Sequence, residues 1–108
     1  MVLLSTMPTI PGYTVKKVLG LVYATNVRTR GMLGKFLSGI RGMTGGKGGA
    51  YLTEIDKARD EVLEEIKRKA SGMHADAVLS INLEMTEILE GFIVISAYGT
   101  AVTIKKEK

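Results

Sequence analysis

Apolar residues alternate with polar ones at both ends of this chain and recur at helical spacing between them. Tyr13 to Val27, YTVKKVLGLVYATNV, is rich in β-branched and aromatic residues, lacks proline and reads as a strand. Its alternation sets Val15, Leu19, Leu21 and Tyr23 against Val18, Val22 and Ala24. Pro8, Pro11 and Gly12 mark a turn before it, and Gly20 inside it marks a bulge or a close backbone approach.

The period then changes. RGMLGKFLSGIRGMT places Met32, Leu33, Phe36, Leu37, Ile40 and Met43 on one helical arc, with Gly31, Gly34, Ser38 and Gly42 opposite. Each interior glycine costs about 1 kcal/mol against alanine, so this helix needs packing to hold it. Its bare stripe admits the close approach of another backbone, a subunit contact before a ligand. AYLTEIDKARDEVLEEIKRKASGM is the strongest helix, with Leu52, Ile55, Ala58, Val62, Leu63, Ile66 and Ala70 in one stripe that Tyr51 and Met73 extend. Glu64–Arg68 and Glu65–Lys69 stand at i, i+4 spacing on its solvated side.

AVLSINLEMTEIL alternates Leu79, Ile81, Leu83 and Met85 against Ser80, Asn82, Glu84 and Thr86, the pattern of a half-buried strand. Glu90 and Gly91 turn the chain, and FIVISAYGTAVTI is apolar or small on both faces, as a central strand would be. The order is therefore β-α-α-β-β, an α+β domain spanning residues 1–108 with the last strand in the middle of an antiparallel sheet. Helices after the first strand can cover only one face of that sheet. The other would be an apolar patch too large for a monomer, which predicts a homo-oligomer.

Composition adds little chemistry. There is no cysteine, which excludes disulfides, thiolate metal sites and thiol catalysis. No stretch approaches the ~20 apolar residues of a membrane span, and a cytoplasmic location is expected. Charge is uneven. Residues 1–53 hold seven basic side chains and no acid, whereas residues 54–108 hold eight basic and eleven acidic ones. This suggests either an anion-binding half or basic and acidic surfaces of neighbouring subunits that meet. No recognition motif accompanies the sequence pI of about 9.4, so nucleic acid is not an expected partner, although weak binding is an alternative reading.

IRGMTGGKGGAY, Ile40 to Tyr51, resembles a phosphate cradle, but it follows a helix rather than a strand. Arg41 stands where a nucleotide loop has its first glycine, and Gly48 stands where it has its magnesium-holding hydroxyl. A helix–helix joint is the plainer reading. The alternative is an anion site in which Arg41, Gly45, Gly46, Lys47, Tyr51 and Arg59 line a cleft between subunits. Arg59 falls within the apolar stripe of the long helix, which predicts a buried bridge to Asp76 or to a neighbouring subunit. His74 and Asp76 could supply half a divalent-metal site, although a histidine at a helix end also serves as a cap. No nucleophile stands beside His74 and no paired carboxylates accompany a cleft motif, so no enzymatic activity is expected.

STMPTIPG, GIRGMTGGKGGAY, the KAR of Lys57–Arg59, ADAV at Ala75–Val78 and GTAV at Gly99–Val102 together resemble the YbjQ-like family, which is named for heavy-metal binding. The resemblance implies a dodecin-like β-α-β-β subunit, a three-stranded antiparallel sheet in order 1-3-2 with helices on one face, and a ring, typically a homopentamer. It implies no established activity. Where the family usually has glycine before ADAV, this chain has His74.

Overall fold

The computed structural model describes residues 1–29, 47–88 and 92–107; side chains of residues 29 and 47–52 lie outside that description. The helix expected over residues 31–43 and the turn at Glu90-Gly91 therefore fall outside the described residues. The described elements are β1 (Leu3–Leu4), β2 (Tyr13–Thr29), α1 (Lys47–Gly72), β3 (Ala77–Ile88) and β4 (Phe92–Lys106). They form an α+β fold whose sheet order is β1-β3-β4-β2. The three long strands are arranged as expected, with β4 central and antiparallel to both neighbours. A fourth strand is added to the expected three: β1 pairs parallel to β3, Leu3 opposite Ala77 and Leu4 opposite Val78.

β1 belongs to a strap that seals the start of the β3 edge on both faces. Ser5 N donates to Val78 O, Ser80 N to Met7 O and Ile81 N to Ser5 O, each within 3.0 Å. Val2 and Leu4 enter the core beneath α1, while Ile10 packs on Ala77, Leu79 and Val102 on the opposite face. Pattern reading saw only the turn at Pro8, Pro11 and Gly12, because two paired residues are too few to carry a period.

α1 lies across β2 and β4. It buries Ile55, Ala58, Val62, Ile66 and Ala70 against Val22, Ala24, Ile93, Ile95, Ala97 and Ala101. Alanine at 58, 70, 97 and 101 brings helix and sheet close together, where dispersion contacts are most numerous. The helix ends in a Schellman motif: Ala75 N donates to Ala70 O and His74 N to Ser71 O, both at 3.0 Å. His74 sits at the left-handed position of that motif, φ 63°. Ala75 and Ala70 supply the apolar contact that accompanies it.

Three bulges reset the alternation. The β2 register shifts between Val15 and Lys17 and between Val18 and Gly20, where Gly20 has φ 140°. The β3 register shifts between Leu79 and Asn82, with Ser80 at φ 55°. Consequently Leu19 joins Val22 and Ala24 beneath the helix, while Val18 joins Leu21 and Tyr23 on the other face, the reverse of the expected placement. Leu79 likewise moves to the face away from α1, and Ile81 and Leu83 stay beneath it.

Candidate functional site

The face away from α1 is apolar and largely uncovered. Ile10 shields its lower part, where Ala77, Leu79 and Val102 are buried. Above them β2 exposes Val18 at 62%, Leu21 at 64% and Tyr23 at 61%. Val27, Phe92 and Tyr98 are exposed on the same face. Tyr23 and Tyr98 stand directly opposite each other across β2 and β4, and Asn82 Nδ2 donates to Tyr98 Oη at 2.8 Å from β3. β2 also has an open edge, since it pairs only with β4 among the described strands. One edge carbonyl is taken: Lys69 Nζ donates to Tyr23 O at 2.7 Å and sits 5.1 Å from the centre of the Tyr23 ring.

A polar cluster joins β2 to α1 on the helix side. Asn26 and Arg28 share the parity of Val22 and Ala24 and so point toward the helix, where Glu54 and Glu61, two turns apart, meet them. Glu61 Oε2 accepts from Asn26 Nδ2 and from Arg28 Nη2, each at 2.9 Å. Arg28 Nε lies 3.3 Å from Glu54 Oε1, near enough for ion pairing but not aligned for a hydrogen bond. Asn26 Oδ1 is buried and accepts no hydrogen bond among the described residues. The Arg28 side chain is 12% exposed. Sequence reading missed this cluster. Its signal was present, in an arginine on the inward parity of a strand and carboxylates seven apart on the facing helix. A groove of roughly 620 Å³ opens beside it, lined in part by Asp60, Glu61, Glu64 and Glu65.

The residues singled out from the sequence do not converge. Arg41, Gly45 and Gly46 lie outside the described residues, and Lys47 and Tyr51 are placed only as backbone of α1. Arg59 requires a correction. It is not buried and does not reach Asp76; its side chain is 43% exposed and pairs with Asp56 at 2.9 Å, one turn earlier. The helix surface likewise uses i, i+3 pairs, Glu64 with Lys67 and Glu65 with Arg68, because Lys69 is drawn to the strand edge. Asp76 Oδ2 accepts from Ile104 N at 3.0 Å and joins the end of β4 to the start of β3.

His74 and Asp76 are both exposed, and Asp76 already serves the backbone. No third histidine, aspartate or glutamate completes a metal-holding group with them among the described residues. A first-row metal site draws on three or four convergent ligands, and soft metals favour thiolates, which this chain lacks. The described histidine, aspartate and glutamate side chains do not assemble a heavy-metal site.

A sheet of this order with one long covering helix defines a small α+β module with an open apolar face. The chain belongs to the YbjQ family described as "Putative heavy-metal-binding", whose profile matches residues 2–105. It is 36% identical over 105 residues to a UPF0145 protein of Saccharolobus islandicus, covering 97% of this chain and 92% of the relative. A UPF0145 protein of Hahella chejuensis is 34% identical over 103 residues, covering 95% and 99%. Among solved structures, a protein of unknown function of the DUF74 family from Pediococcus pentosaceus aligns with TM-score 0.66 and 19% identity. That alignment covers 96% of this chain and 98% of the other, and it supports the fold alone. No described helix is long and apolar enough to cross a membrane.

Proposed function

We propose that the chain acts as a cytoplasmic self-assembling module, a ring of five subunits that serves as a binding or scaffold platform. The observation that carries this reading is the open sheet face. Val18, Leu21 and Tyr23 are each more than 60% exposed beside exposed Val27, Phe92 and Tyr98, and a contiguous apolar patch of this kind marks an interaction surface. The number five rests on the family resemblance. Heavy-metal binding rests on the family's description and draws no support from the described donors.

Light scattering at micromolar concentration should give a mass near five subunits, and a stable monomer would refute the reading. Leu21→Asp is the sharper test. An exposed position shifts monomer stability by no more than about 0.5 kcal/mol, whereas an unpaired carboxylate buried in an interface costs several. The variant should be a folded monomer with an unchanged circular dichroism spectrum. A variant that assembles like the wild type would show that this face is not the interface.

A further inference from the structure

Strand pairing brings together basic residues from opposite ends of the chain. Lys16 and Lys17 lie near the start of β2, Lys105 and Lys106 close β4, and all four are exposed. Tyr13 stands opposite Lys106, Thr14 opposite Lys105 and Lys17 opposite Thr103. Lys106 therefore shares the face of Val15 and Ile104, Lys17 and Lys105 share the other, and Lys16 sits at the bulge. None of the four makes an ion pair among the described residues. Asp76 and Glu107 are the described acids of this end, and Asp76 already holds the Ile104 amide. The other described acids lie on α1, which stops where Met73 meets Gly20, or farther along β3 at Glu84 and Glu87. A hollow of roughly 500 Å³ adjoins the lysines, walled by Ile10, Pro11, Tyr13, Thr14, Ile104 and Glu107, and Tyr13 is half-buried in it.

We infer that this sheet end binds single-stranded nucleic acid, with the lysines on its phosphates and a base in the hollow against Tyr13. Exposed lysines spread over two strands and both faces enclose no single phosphate. Only a partner with repeated charge can engage them together. A lipid bilayer has repeated charge but is flat. Resting on the tip at Tyr13 and Lys106, it leaves Lys17 about 13 Å behind, four residues along β2 at ~3.3 Å each. That exceeds the Debye length of ~8 Å at physiological salt. A flexible strand can instead bend around the end and reach both faces. The hollow adds an aromatic side chain among apolar walls, against which any base can stack. Such binding is tolerant of sequence, which agrees with the lack of a recognition motif in the chain. The inference does not depend on self-assembly.

Fluorescence anisotropy of a labelled oligouridylate titrated with the full chain tests this. Affinity should fall with salt at a log–log slope of about −2.8 per engaged sheet end, since each neutralised phosphate of a single strand contributes about −0.7. Lys17→Gln with Lys105→Gln should roughly halve that slope and weaken binding at least about tenfold at physiological salt. Tyr13→Leu should weaken binding about fivefold or more and leave the slope unchanged, as loss of stacking does. Circular dichroism and light scattering confirm the fold and assembly of each variant; should Tyr13→Leu unfold, the lysine pair at exposed positions carries the test. No binding at low salt, or an unchanged slope in the lysine variant, overturns the inference whatever the state of assembly. So does lysine-dependent binding to phosphatidylserine vesicles without binding to the oligouridylate, which assigns the patch to a membrane surface. A folded Tyr13→Leu variant that binds like the wild type overturns the place given to the base.

Discussion

His74 shows how one side chain is chosen by backbone geometry. The left-handed conformation costs an L-residue roughly 1 to 2 kcal/mol, and glycine escapes that cost. Histidine is among the residues that tolerate it, and the Schellman bonds hold it there. His74→Gly should therefore raise stability by about 1 kcal/mol in urea denaturation, with the m-value unchanged. A loss of stability would mean that the imidazole makes a contact worth more than the strain. The position was legible because the helical stripe ends near Met73 and because the family usually has glycine there. Arg59 was not legible. Its place in the apolar stripe argued for burial, yet a long side chain can lead its charge out to Asp56 while its stem covers the helix.

At the scale of elements, Arg28 holds the end of β2 against α1. Removing it leaves Glu54, only 16% exposed, and Glu61 without their cation among the described residues. Arg28→Ala should cost about 2 kcal/mol, less than the ~3 to 5 for a fully buried pair because Glu61 is half solvated. Glu61→Gln should cost well under half as much, since its amide can still accept from Arg28. Urea midpoints of the two variants check the ranking, and equal losses would contradict it. The three long strands, the long helix, the central place of β4 and the face that this helix covers could all be read from periodicity. The facing of Val18, Leu19 and Leu79 could not. Period-two alternation assumes one residue per step, and each bulge inserts an extra one. Gly20 signalled its bulge by composition, but nothing in serine at position 80 announces φ 55°.

For the whole molecule, the lengths of the elements matter more than any one contact. β2 extends about 56 Å at ~3.3 Å per residue, whereas α1 reaches about 39 Å at ~1.5 Å. The sheet outruns its helix, and the uncovered end carries the lysines. Length also lays out a long β2 edge of backbone donors and acceptors, and such an edge can template the strands of another molecule. The single bond from Lys69 to Tyr23 O bears on that hazard. It puts a cation across the middle of the strand, where an incoming backbone would need the same carbonyl and would have to displace a charge to reach it. On this ground the ammonium is expected to slow edge-to-edge addition more than it adds native stability. Lys69→Met should lower the unfolding free energy by less than about 1 kcal/mol yet markedly shorten the lag before thioflavin-positive aggregates form on mild heating. An unchanged lag would mean that the edge is already closed by other means. If the open face carries assembly as proposed, the Lys69 contact keeps the β2 edge from becoming a second and unlimited site of addition.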